Sequence, residues 1–148
     1  MGKRRLSREL ALKFLYQLDV LSDNVETNQI EFDKELESFL TTQEAVGDED
    51  TKKFMVTLAR GVFENMEGID SIITKYSDNW KISRMSKIDR NILRLAVYEM
   101  LNLSNIPHPV TINEAVDIAK KYGTKESGSF INGIIAVSYT HLTLPTKA

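Results

Sequence analysis

Three arginines near the start of the chain carry its most specific chemistry. Arg4, Arg5 and Arg8 stand at i, i+1 and i+4, so on a helix Arg4 and Arg8, and Arg5 and Arg8, are neighbours one turn apart. Guanidiniums so spaced can fork onto phosphate oxygens, and a helix N-terminus adds its own attraction for anions. The same residues, with Lys3 and Lys13, also suit the solubilising start of a surface helix. A second basic row, Lys81, Arg84, Lys87, Arg90 and Arg94, repeats at three- or four-residue spacing, and a solvated face is its simpler reading. Lys120, Lys121 and Lys125 surround Gly123, where they can satisfy the last carbonyls of a helix or extend a phosphate-binding surface. Phe130, within Ser127-Gly128-Ser129-Phe130-Ile131-Asn132-Gly133, and Tyr16 are each either a core residue, the simpler reading, or a ring able to stack on a base.

Catalysis and metal binding find no comparable anchor. There is no G-x-G-x-x-G, no P-loop and no H-E-x-x-H; His108 stands between prolines and His141 in an atypical C-terminal stretch. The absence of cysteine removes disulfides, thiol nucleophiles, thiolate zinc sites and iron–sulfur clusters. Asp48, Glu49 and Asp50 after Gly47 could hold a hard cation weakly, but a solvated turn and helix cap is the simpler reading. No metal and no cofactor is therefore expected. An enzyme would have to work through carboxylates such as Asp89 and Glu99, and Glu99 falls inside an apolar stripe that suits a structural hydrogen bond.

Helices must position these groups. Ile69, Ile72, Ile73, Tyr76 and Trp80 recur at i, i+3, i+4, i+7 and i+11, one stripe of a 3.6-residue helix. Ile112, Ala115, Val116, Ala119 and Tyr122 repeat the spacing, with Thr111 and Glu114 as a T-x-x-E capping box and Gly123 where a left-handed C-terminal cap belongs. Ser86 with Asp89 opens a helix over about 87–103, whose wide apolar stripe predicts a central, mostly buried element. Pro107 and Pro109 stop it. Leu10, Phe14 and Leu18 mark a helix over about 6–20, Ile30, Leu36, Phe39 and Leu40 a second, and Phe54, Met55, Leu58, Val62 and Met66 a third after the acidic turn. Nowhere do β-branched residues alternate with polar ones as a strand pair would require, so the predicted class is all-α.

With 148 residues, 42% hydrophobic and 27% charged, the chain suits one soluble globular domain. Its longest apolar run, Phe130 to Val137, is too short for a bilayer and contains Asn132 and Gly133. No signal peptide is read at the start, because Arg8, Glu9 and Lys13 interrupt any apolar segment; the expected location is the cytoplasm. The net charge of −2 conceals +4 over residues 1–13 and −10 over residues 19–50, where eleven carboxylates face only Lys34. Local patches, not the total, therefore decide the partners.

A series of motifs runs along the chain: Arg4-Arg5-x-x-Arg8-Glu9-Leu10-Ala11-Leu12 running into Leu15-Tyr16-Gln17, then Trp80-x-x-x-Arg84 and Asp89-Arg90-x-Ile92-Leu93-Arg94-Leu95-Ala96-x-Tyr98-Glu99-Met100. Ile106-Pro107, Ile112-Asn113-Glu114-Ala115-x-x-x-Ala119-Lys120-x-Tyr122-Gly123 and Phe130-x-Asn132-Gly133-Ile134 follow. In this order they resemble the NusB family of bacterial transcription antitermination factors, and the likeness covers roughly residues 4 to 135. The resemblance implies about seven helices in two packed small helical bundles, about 1–79 and 80–137 of a single domain 1–137, and a non-enzymatic role. It further implies binding of the boxA element of nascent RNA, notably in ribosomal RNA operons. The implied partners are NusE, the small-subunit ribosomal protein that doubles as a Nus factor, and the RNA polymerase elongation complex with other Nus factors. The family's arginine-rich RNA contact falls on Arg4, Arg5 and Arg8 with Lys3 beside them, and positions on or beside its RNA surface fall on Tyr16, Glu126 and Phe130.

The chain departs from the family after Ile135, where an acidic residue is usual and Ala136 stands instead. Residues 138–148 show no amphipathic spacing and read as an atypical, foreign or disordered tail, which leaves the length of the last helix open. Two other readings stay open. One is a helical protein-interaction adaptor whose acidic stretch meets a basic partner, with RNA binding incidental; the other is a truncated RNA-binding module of an RNA methyltransferase. Self-association as a homodimer is also left open.

Overall fold

A computed structural model describes residues 3–43, 48–78 and 80–143, with side chains given between Arg4 and Ser138 apart from Thr27. Among these residues there are seven α-helices, two short 3₁₀ turns and no strand. They are α1 (Lys3–Leu21), α2 (Phe32–Thr42), α3 (Glu49–Glu64), α4 (Met66–Tyr76), α5 (Lys87–Asn102), α6 (His108–Tyr122) and α7 (Ser127–Thr143). The all-α class stands. The chain divides into two compact units between Glu64 and Asn65. The resemblance places that line near residue 79, and the difference is α4, which packs on α5 and α7.

In the N-terminal unit α1 lies against α3 and α2. Leu10, Phe14 and Leu18 share one face of α1 and are buried with Phe32, Phe39, Met55, Leu58 and Val62. The Phe14 ring meets Phe32 edge-on at 5.4 Å and Phe39 at 5.2 Å, geometries that favour aromatic pairs beyond their buried area. Ser7 Oγ donates to the Thr51 carbonyl at 2.8 Å and ties α1 to α3. Asp48 caps α3: its Oδ2 accepts from the Thr51 N–H at 3.0 Å and the Thr51 hydroxyl at 3.2 Å. The acidic turn is thus a cap, as expected, while Gly47 lies outside the described residues. Helix α1 begins at Lys3, earlier than the apolar stripe alone predicts, so Arg4 and Arg5 are helical.

In the C-terminal unit α5 receives α4, α6 and α7. Asn91 to Val97, Glu99 and Met100 are buried, which is the central helix that the wide stripe predicts. Ser86 caps it by accepting from the Asp89 N–H at 3.0 Å. Arg94 binds Asp70 of α4 through both carboxylate oxygens, at 2.8 and 2.9 Å, and Asn91 Oδ1 at 3.0 Å.

Four local expectations are corrected. The stripe assigned to Ile69–Trp80 ends at Tyr76, because Asp78 takes a φ of 55°; that left-handed conformation, open to aspartate, turns the chain and puts Trp80 outside the helix. The T-x-x-E box does not open α6. Pro107 is its N-cap and Pro109 sits in its first turn, where a missing N–H costs nothing, and Thr111, a turn further in, is buried with its hydroxyl donating to Glu99 Oε1 at 3.0 Å. Gly123 ends α6 in an extended, not left-handed, conformation, φ −95° and ψ −163°. What requires glycine is space, since a Cβ would stand 2.3 Å from Ser127 Oγ and 2.9 Å from the Ala119 carbonyl oxygen. Finally, α7 continues to Thr143, with Ser138 buried and bonded to the Ile134 carbonyl at 2.9 Å. Residues 138–143 are therefore helical, and residues 144–148 lie outside the described residues.

Candidate nucleic-acid interface

The N-terminal arginines divide by burial. Arg4 is exposed, Arg5 half-buried and Arg8 buried, at 5% exposure. The three arginines, neighbours on one helix, are therefore not one exposed row. Arg8 shares a helical face with Ala11, Leu12 and Leu15, all buried, and spacing of i+3, i+4 and i+7 carries it inward. Its guanidinium carbon lies 5.6 Å from the centre of the Phe54 ring of α3, and that of Arg4 lies 4.6 Å from the same ring. Both distances are within cation–π range. Arg4, Ser7, Asp50, Lys53, Phe54 and Thr57 line a cleft of about 430 Å³. Sequence reasoning does not single out Lys53 and Phe54 as partners of this patch; only the packing of α1 on α3 brings them there. Lys3 opens α1, and its side chain lies outside the described ones.

Tyr16 is 41% exposed, so its simpler reading, as core, is corrected. Lys13, Tyr16, Gln17 and Val20 are all exposed at i, i+3, i+4 and i+7, the outer stripe of α1.

In the C-terminal unit Lys120 and Lys121 are exposed in the last turn of α6. The stem of Lys120 runs over Gly128, whose added Cβ would meet Lys120 Cγ at 3.2 Å. Lys121 Nζ lies 5.3 Å from the centre of the Tyr122 ring. Glu126 is exposed just before α7, and Phe130 follows one turn on, its N–H donating to the Glu126 carbonyl at 3.0 Å. The connection between α6 and α7 is fixed by Ser127, buried, whose Oγ accepts from the Thr124 N–H at 2.9 Å. Phe130 is half-buried and not core. Its ring meets Trp80 edge-on at 5.2 Å and 69°.

Trp80 is the aromatic residue that sequence reasoning misplaces. It is 50% exposed and lines a cleft of about 760 Å³ with Ser77, Asp78, Lys81 and Arg84. The signal is the turn-forming run Ser77-Asp78-Asn79 just before it. The second basic row is not one solvated face. Lys81 and Arg84 are exposed, whereas Arg90 Nη1 donates to the Ile82 carbonyl at 3.2 Å and Arg94 is buried on Asp70. Glu99 is buried and held by Thr111, the structural role expected of it. Among the described residues no three His, Asp or Glu side chains converge as metal ligands, and no helix is long and apolar enough to cross a membrane.

Known proteins resemble the chain in sequence and in fold. A model of the NusB family matches residues 5–139. The transcription antitermination protein NusB of Geobacter sulfurreducens is 47% identical over 99% of each chain. That of Acetivibrio thermocellus is 46% identical over 89% of this chain and 85% of its own. Among solved structures, NusB of T. maritima superposes with a TM-score of 0.78 at 37% identity, covering 92% of this chain and 90% of that one. A chain from a crystal structure of the antitermination factors NusB and NusE in complex with dsRNA gives 0.81 at 26% identity over 95% and 98%. The sequence motifs, the helical architecture and these likenesses agree: the chain belongs to the NusB family.

Proposed function

We propose that this protein is an RNA-binding transcription antitermination factor that works without catalysis. It captures a single-stranded boxA-type segment of nascent RNA together with NusE, and acts in the cytoplasm on the RNA polymerase elongation complex with other Nus factors. The observation that carries the reading is the placing of exposed cations near accessible rings: Arg4 and Lys53 line one cleft with Phe54 in one unit, and in the other Lys120, whose stem packs on Gly128, is exposed on the unit that presents Phe130. The name of the relatives, and a solved NusB–NusE complex with RNA, support it.

The residues take different parts. Lys3, Arg4 and Arg5 hold phosphates and supply the salt-dependent affinity. Arg8, being buried, positions Phe54 and Arg4 instead of meeting the strand itself. Lys120 and Lys121 extend the cationic surface, Tyr16 and Phe130 offer rings to bases, and the Glu126 carboxylate can accept from a base amino group. A protein partner adds a second surface and couples to RNA binding.

A salt titration tests this, using a labelled boxA-type RNA, a scrambled strand and a duplex, with and without NusE. Wild type should prefer the boxA strand and gain affinity with NusE. Replacing Arg4 and Arg5 by Ala should flatten the plot of log affinity against log salt by roughly 0.7 for each phosphate left without its cation. Equal binding of all three RNAs, unmoved by the substitutions, would sink the reading. It would favour instead a protein adaptor built on the acidic N-terminal stretch, where Asp23, Glu26, Glu31, Asp33 and Glu37 are exposed.

A further inference from the structure

We propose that Trp80 stacks on a base of the bound strand, and that the cleft it lines with Lys81 and Arg84 seats one nucleotide. The inference rests on the RNA-binding reading and adds to it a site to which the resemblance, although its motifs include Trp80 and Arg84, assigns no RNA contact. Tryptophan is costly to leave in water, yet Trp80 keeps half its surface exposed while its ring meets Phe130 by an edge. A T-shaped pair of this kind presents two ring systems at an angle, a platform on which a flat base can stack.

The turn that carries Trp80 is held in advance. The Trp80 N–H donates to the Ser77 carbonyl at 3.0 Å, and Ser77 Oγ lies 3.2 Å from both the Thr74 and Trp80 carbonyl oxygens. Arg90 grips the Ile82 carbonyl, Met85 is buried, and the Arg94–Asp70 pair clamps α5 to α4 on either side of the turn. A ring so fixed loses little conformational freedom on binding, which is where preorganised sites gain affinity.

The lining identifies the occupant. At about 760 Å³ the cleft is within the range of ligand pockets. Lys81 and Arg84 supply two exposed cations for a phosphate, Trp80 a face for a base, and Asp78 a carboxylate for its edge. Asp78 argues against a bare phosphate and for a nucleotide, because a carboxylate repels the anion but accepts from the N–H groups of a base.

Trp80 is the only tryptophan in the chain, so its emission reports this site alone. Wild-type protein is titrated with boxA-type RNA while Trp emission and the anisotropy of end-labelled RNA are read together, with Trp80→Leu and Trp80→Phe alongside. Emission should be quenched along the same curve as the anisotropy. Trp80→Leu should weaken binding by roughly tenfold or more, the order expected when one base stack is removed, with Trp80→Phe retaining most of the affinity. The Lys81→Ala, Arg84→Ala double variant should keep the Trp quenching and lose salt slope. RNA binding with unchanged emission and wild-type affinity in Trp80→Leu overturns the proposal and leaves the RNA-binding reading intact. Failure of wild type to bind any RNA overturns both. Quenching by NusE alone, with no further change on adding RNA, overturns it in favour of a protein contact. If Trp80→Leu melts early, the quenching curve and the Lys81, Arg84 variant decide the matter.

Discussion

Two ion pairs of equal length, one in each unit, predict unequal consequences. Asp70→Ala removes the partner of Arg94, whose side chain is 7% exposed against 23% for Asp70. Leaving a buried charge unpaired costs roughly 3–5 kcal/mol. The partial exposure of the carboxylate, and Asn91, which keeps one Arg94 N–H occupied, place the loss at the lower end, about 3 kcal/mol. For a chain of this size each kcal/mol lowers Tm by roughly 2–4 °C, so a fall of roughly 6–12 °C is expected. Asp33 and Arg60 meet at the same 2.8 Å but are 80% and 39% exposed. Asp33→Ala should therefore cost less than about 1 kcal/mol. Thermal melts followed by circular dichroism, with urea unfolding as a second measure, compare the two directly. Removing both charges of the buried pair, in Asp70→Leu with Arg94→Met, should restore much of what Asp70→Ala loses. Equal losses for the two aspartates, or a double variant as unstable as the sum of its singles, would refute the argument that burial sets the value of these pairs.

Other substitutions probe single interactions. Thr111→Val takes the hydroxyl from the buried Glu99 carboxylate and should destabilise by about 1–3 kcal/mol in urea unfolding. Gly123→Ala should cost about 1–3 kcal/mol by forcing a methyl group against Ser127. Gly133→Ala, where nothing stands within 4 Å of the new Cβ, should stabilise α7 by roughly 0.5–1 kcal/mol through helix propensity; paired melts check the opposite signs. Ser86→Ala deletes the cap of α5 and should cost about 1 kcal/mol, read from the same melts.

The helices are legible because each buries an apolar stripe of one period. Spacing alone does not show where the backbone leaves that period. Trp80 continues the i+11 register of the α4 stripe, but Asp78 has already turned the chain. Pro107 and Pro109 read as a stop for α5, and in the structure they also start α6, because proline fits the first turn of a helix as well as it breaks an interior one. The candidate site is legible as residue types more than as geometry. Basic residues flag anion chemistry wherever they stand, so Arg94 and Arg8 look like Arg4 until packing buries them. The apolar register to which Arg8 belongs is nonetheless visible in Ala11, Leu12 and Leu15. Lys53 and Phe54 reach Arg4 through packing between helices distant in sequence, which periodicity does not encode.

The unbroken burial of α5 from Asn91 to Val97 also fixes where motion is allowed. With α4, α6 and α7 all packed on it, the amide protons of that buried run should exchange with solvent only when the whole unit opens, whereas Ser104 and Asn105, exposed between α5 and α6, should exchange through local fluctuation. The free energy of opening therefore falls steeply from the axis of this unit to its connections, and the connections can adjust to a partner while the axis keeps its register.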